Sequence, residues 1–237
     1  MEERIQKILA VHGGVSRRAA EKLISEGLVT VNGIPASLGA KADPDRDTIC
    51  LRGEMIDTSK EQKYYIMLHK PVGYVTTMSD EKGRKTVAEL VSDIPARVYP
   101  VGRLDISSEG LLLMTNDGEF ANRIMHPSFE KEKTYRVLVT GDIKSGVKRL
   151  LEPMELDGVP IHPPRVRIIS QEDDYPATLD ITIHEGKNRQ IRRMCEAADL
   201  RVKRLIRISV GSVRLGQLKK GTWRHLTQEE LGVLCKK

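Results

Sequence analysis

The chain has 237 residues, of which 39% are apolar and 30% charged, and a net charge of +6. That is room for one large or two smaller globular domains, with no apolar run near bilayer length and a charged, not signal-like, start in MEERIQKIL. Cys50, Cys195 and Cys235 form no CxxC pair and no Cys/His cluster appears, so a disulfide framework and a metal site are not expected and a reducing cytoplasm is.

Ile5, Ile8 and Leu9 follow the i, i+3, i+4 spacing of one helix face. His12-Gly13-Gly14 interrupts that helix, and Ser16 is placed to cap a second one whose Ala20, Leu23 and Ile24 face a core. Gly27 closes it, and LVTVNGIPA reads as a strand, an Asn32-Gly33 turn and a return strand. Arg17 and Arg18 at the second helix's N-terminus, with Lys22 beyond them, put cations beside free backbone N–H groups, a setting suited to phosphate. A short strand, Thr48 to Leu51, then precedes a polar linker that runs to about Lys63.

From Tyr64 the character changes. YYIMLHKPVGYVTT, RVYPVG, KTYRVLVTG, TLDITIH and RVKRLIRISVGSVRL read as strands. Helical patterns cover Val87–Val91, Phe120–Met125, Lys144–Leu151 and Gln190–Ala198. The mixture predicts an α+β domain on a largely antiparallel or mixed sheet. Gly-rich phosphate loops are absent, so kinase, NTPase and dehydrogenase readings lack support. Residues 187–224 carry twelve Lys/Arg against Glu196 and Asp199, a field that attracts polyanions.

Chemistry concentrates in two segments. In GRLDISSEGLLLMTNDGEF, 102–120, the carboxylate Asp105 follows Arg103 and precedes the apolar run Leu111–Met114, which reads as core. HEGKNRQIRRM, 184–194, crowds cations behind a strand. An acid on a loop and cations able to meet it are the minimum for a charged nucleophile. Taken alone, Asp105 serves equally well as a turn cap, Tyr135 as a half-buried strand residue and Arg192 as a surface cation. His126, Cys195 and Trp223 read as structural.

RIQKILAVHGGVSRRAAEKLISEGLVTVNG resembles an S4-type RNA-binding domain. LHKPVGYVTT at 68–77, VGRLDISSEGLLLMTNDGEFANRIMHP at 101–127, EKTYRV at 132–137, HEGKNRQIRRMCEA at 184–197 and LIRISVGSVRLGQLKKGTWRHLT at 205–227 resemble, in order, the pseudouridine synthases of the RsuA/RluB group. The expected organisation is an S4 domain with linker at 1–62 and a catalytic domain at 63–237. The resemblance implies isomerisation of a flipped uridine in ribosomal RNA, without cofactor or metal. Asp105 matches the nucleophile; whether it attacks sugar, attacks base or promotes elimination stays open. Arg192 matches the cation paired with it, and Tyr135 the active-site tyrosine. Arg103 matches a residue supporting the gap left by the flipped nucleotide, and Leu205 and Ile206 wall the pocket. Lys187 and Arg189 join Arg17, Arg18 and Lys22 as expected RNA contacts.

EGKNRQIRRM and DEKGRKTV are closer to the RluB type, acting on large-subunit (23S) rRNA, than to the RsuA type, acting on small-subunit (16S) rRNA. A non-catalytic RNA-binding assembly factor is the competing class, and an aspartate-nucleophile hydrolase a third; the set Asp105, Tyr135 and Arg192 favours the isomerase. A cytoplasmic monomer with no membrane partner is the expected form.

Overall fold

The structure, a computed structural model, describes residues 1–59, 62–126, 131–171 and 176–236. Residues 60 and 61 of the expected linker, and Pro127 at the end of the GRLD-bearing segment, lie outside the described residues. The chain divides into two compact units, Met1–Lys63 and Tyr64–Lys237.

The first unit runs β1 (Glu3–Arg4), α1 (Ile5–His12), α2 (Arg17–Ser25), β2 (Val29–Val31), β3 (Ile34–Pro35), β4 (Lys41–Ala42), β5 (Ile49–Leu51) and β6 (Glu54–Met55). Ser16 Oγ accepts from the Ala19 N–H at 3.1 Å, which starts α2 where the sequence placed it. Asn32 and Gly33 both take positive φ, 52° and 81°, as a two-residue hairpin turn requires. Asn32 also ties that turn to Asp47 and the Thr48 N–H, both at 2.9 Å. Ile5, Ile8 and Leu9 pack on Ala20, Leu23 and Ile24 and on Val29 and Ile49 from the strands. Burying these apolar faces, not the short helices' own propensity, holds the module together.

The second unit contains β7 (Tyr65–Lys70), a 3₁₀ turn (Val87–Val91), β8 (Tyr99–Val101), β9 (Glu109–Thr115), α3 (Gly118–Met125), β10 (Lys133–Thr140), α4 (Ile143–Leu150), β11 (Met154–Leu156), β12 (Val159–Ile161) and β13 (Arg165–Ser170). It continues through β14 (Ala177–Ile183), α5 (Gln190–Ala197), β15 (Arg201–Val210), β16 (Val213–Arg214), β17 (Trp223–His225) and α6 (Gln228–Cys235). One sheet runs β13-β14-β10-β15-β9-β7-β17, with β16 on β15 and β8 on β9. Among the described residues of this sheet only β9 and β15 pair in parallel; the other pairs are antiparallel. The architecture is the α+β, mostly antiparallel mixed sheet that the pattern predicts.

The parallel junction explains the run Leu111–Met114. Leu112 and Met114 enter a core with the 3₁₀ turn, α4 and α5, whereas Leu111 and Leu113 enter the opposite core with α3 and α6. A strand buried on both faces has no polar alternation. Asp117 ends this strand and caps α3 by accepting from the Glu119 and Phe120 N–H groups at 2.9 and 3.3 Å. Its other oxygen accepts from the Tyr65 hydroxyl at 2.7 Å. The TNDG segment is therefore a strand-to-helix hinge.

Candidate active site

Asp105 lies on the loop that enters β9. Gly102 opens the loop with φ 80°. Thr76 Oγ1 grips it at Leu104, donating to the carbonyl at 2.6 Å and accepting from the N–H at 3.2 Å. The Gly73 N–H holds the Ile106 carbonyl at 2.8 Å. Beneath the loop Lys70, with no exposed surface, donates to the carbonyls of Pro71, Asp105 and Ser108 at 3.1, 3.0 and 2.8 Å. Burial pushes the Lys70 pKa down to about 8; the nearby Asp105 charge opposes that shift and Arg207 adds to it.

One row across the sheet sets these groups side by side. Lys70 on β7 faces Gly110 on β9, Gly110 faces Arg207 on β15, and Arg207 faces Tyr135 on β10. Glycine is required in the middle: its φ is 115°, and a Cβ there would stand 2.3 Å from the Arg207 carbonyl oxygen. The missing side chain lets the two strands close up under the Asp105 loop. Just before it, Glu109 is 2% exposed and pairs with Arg204 and, at 2.8 Å, Lys220. Burial raises the Glu109 pKa, but the two cations outweigh it and hold the carboxyl below its usual range.

A cleft of about 880 Å³ opens over this row. Asp105, Arg103, Tyr135, Leu205, Lys187 and Arg189 line it. Tyr135 is buried on the face of β10 that carries Val137 and Val139. Arg189 is the cation in ion-pair range of Asp105, its Nη1 4.0 Å from Oδ2. It takes φ 49° at the start of α5, and Gln190 pins the turn, its amide accepting from the Lys187 N–H at 3.0 Å and donating to Glu185 at 2.5 Å.

Arg192, expected as the cation paired with Asp105, instead stands behind the loop in the first turn of α5, outside the residues lining the cleft, and donates to the Ser107 carbonyl at 2.8 Å. Its Nε is buried without a partner among the described residues. Burial and Arg189 lower its pKa, against the pull of the Asp105 charge. Ile206 points to the opposite core and is not among the residues lining the cleft. Arg17, Arg18 and Lys22 are exposed on α2 of the first unit, Lys22 beside Glu26 at 3.7 Å. Sequence reasoning passed over Lys70, Thr76, Gly110, Gln190 and Arg207. The one available signal was a lysine ending the apolar strand YIML, where a solvated charge is out of place.

A carboxylate on a braced loop beside a cleft that several cations line suits a negatively charged substrate. Residues 64–197 match the family model for RNA pseudouridylate synthase, and residues 3–45 that for the S4 domain. The chain is 45% identical to an RNA pseudouridine synthase of Aquifex aeolicus, covering 100% of this chain and 95% of that protein. It is 41% identical to ribosomal large subunit pseudouridine synthase B of Bacillus subtilis, over 97% of this chain and 94% of the relative. A crystal structure of a pseudouridylate synthase, 31% identical, superposes with a TM-score of 0.66 over 98% of this chain and 99% of that one. The chain belongs to the RNA pseudouridylate synthase family, with an S4 domain at its N-terminal end. It is an isomerase.

Proposed function

We propose that this protein converts a specific uridine of large-subunit rRNA to pseudouridine, acting as a cytoplasmic monomer without cofactor, with Asp105 as nucleophile. The observation that carries the reading is the support of the Asp105 loop: Lys70 below it, Arg192 behind it at Ser107 and Arg189 beside the carboxylate. Asp105 lines the cleft, with the Arg189 guanidinium 4.0 Å from its Oδ2. The name of the Bacillus subtilis relative supports the large subunit.

A stacked uridine hides its glycosidic bond, so the nucleotide must leave the helix to reach Asp105. Arg103, exposed at the cleft rim, is placed to support the vacated position, and the buried ring of Tyr135 with Leu205 offers a face for the uracil. The exposed Arg17 and Arg18 and the basic 187–224 stretch add sequence-independent phosphate affinity. The test is Asp105→Asn in a paired assay. RNA affinity by filter binding should stay within a few-fold of wild type, while pseudouridine formation falls below detection. Equal losses in binding and turnover would remove Asp105 from the chemistry.

A further inference from the structure

Arg207 carries an unspent capacity. It is 5% exposed, yet it lines the cleft. Among the described residues its side chain makes one hydrogen bond, from Nε to the Leu111 carbonyl at 2.7 Å, which leaves both terminal Nη groups without a protein partner. The other cleft cations are differently placed: Lys133 donates to the His184 carbonyl at 2.7 Å. Arg84 is exposed and closed onto Asp80 by two bonds, at 3.1 and 2.6 Å, and Lys187 is bonded to the Val159 and Pro160 carbonyls. Arg103 and Arg189 are solvent-exposed. Ser108 lines the same cleft at 1% exposure, and its hydroxyl is buried with no partner among the described residues. Donor groups that face a cleft and have no protein partner are available to a ligand.

The reaction creates a matching ligand. When the C1′–N1 bond breaks, its electron pair stays on N1, and the charge spreads over the ring into its two carbonyl oxygens. The ring turns, C5 bonds to C1′ with a ring electron pair, the C5 proton leaves and N1 takes up a proton, so the product is an isomer. Between these steps the base is an anion in a cleft walled by Leu205, Ile191 and the Tyr135 ring, where charge without a donor is expensive. Donors fixed in advance act most strongly in such surroundings. Arg207 is fixed in advance: Nε is anchored on Leu111, its backbone is clamped against Gly110, and its strand neighbour across the sheet is Tyr135.

We propose that Arg207 is a further catalytic residue, whose Nη groups donate to a carbonyl oxygen of the detached uracil anion. The inference rests on the isomerase reading above. It assigns leaving-group stabilisation to β15, separate from the nucleophile on the β9 loop.

The experiment compares single-turnover rates of wild type, Arg207→Met and Arg207→Lys on saturating target RNA carrying uridine or 5-fluorouridine, reading consumption of the starting nucleoside. Fluorine at C5 withdraws charge and stabilises the anion without help from the protein. Loss of one such donor costs roughly 10²–10³ in rate. Arg207→Met should lose about that factor on uridine RNA and distinctly less on 5-fluorouridine RNA, with RNA affinity little changed and the lysine variant in between. Equal losses on the two RNAs would show a purely structural role and overturn the proposal, as would an unchanged rate or a loss confined to affinity. If the methionine variant does not fold, the lysine variant carries the same comparison. A wild type that fails to isomerise uridine in this assay would instead sink the isomerase reading on which the proposal rests.

Discussion

Replacing Lys70 by methionine keeps the aliphatic stem and removes only the ammonium that holds the Asp105 loop. Lowering a lysine pKa from 10.5 to about 8 corresponds to roughly 3 kcal/mol of unfavourable charge burial. Against that stand three charge-assisted hydrogen bonds of roughly 1.5–3 kcal/mol each, so the substitution should cost a net of about 1.5–6 kcal/mol. The Asp105 carbonyl keeps the Ser108 N–H at 3.0 Å, so the deficit falls most heavily on the Ser108 carbonyl. The sign with pH is fixed by the direction of the shift. Between pH 8 and 10.5 the folded protein has released the Lys70 proton while the unfolded chain still binds it, so the stability owed to Lys70 rises across that window. That gain is lost again as pH falls from 10.5 to 8, and below 8 the contribution is level. Urea melts of wild type and Lys70→Met at several pH values from 7 to 10 should therefore show a gap that widens with pH. A gap that stays level or closes as pH rises would refute the picture of a buried, charge-strained lysine under the loop.

Gly110→Ala should be among the most damaging single-atom additions to the sheet. It forces a Cβ to within 2.3 Å of a backbone oxygen at φ 115°, and overpacking plus backbone strain should cost roughly 3–5 kcal/mol in a chemical melt. Gln190→Ala frees the Lys187 N–H and Glu185 and unpins the turn holding Arg189. A lower single-turnover rate with a loss of about 1–3 kcal/mol in stability is expected, and a rate equal to wild type would count against the turn as a support of the site. Arg17→Ala combined with Arg18→Ala should weaken RNA binding and reduce the slope of log affinity against log salt by about 1–2, leaving the rate on saturating RNA unchanged. An unchanged slope would remove these two arginines from the phosphate contacts.

What the sequence disclosed was mostly local. The Ser16 cap, the Asn32-Gly33 turn and the Ile5, Ile8, Leu9 face depend on neighbours within a few positions, and each occurs as read. The motif residues Asp105, Tyr135, Leu205, Lys187 and Arg189 do reach one cleft. The harder features depend on pairing between distant strands. The parallel contact of β9 with β15 joins residues about a hundred positions apart, and no turn signal announces it. Arg207 looks like an ordinary strand cation until the register places it, with Lys70, beside Gly110. Helix α6 has a weak apolar face, in which Leu234 alone is fully buried, and its Thr227–Glu230 capping box was the readable clue. YVTT, read as strand, contributes one isolated bridge, Val75 with Thr86, because the segment turns to grip the Asp105 loop.

The central claim is that Asp105 makes pseudouridine in rRNA, and pseudouridine mapping tests it most directly. rRNA from cells lacking this protein would be treated with carbodiimide and read by reverse-transcriptase stops, with complementation by wild type or Asp105→Asn. The account predicts that one large-subunit stop disappears, returns with wild type and stays absent with the asparagine variant. An unchanged map, or a stop restored equally by Asp105→Asn, would contradict it.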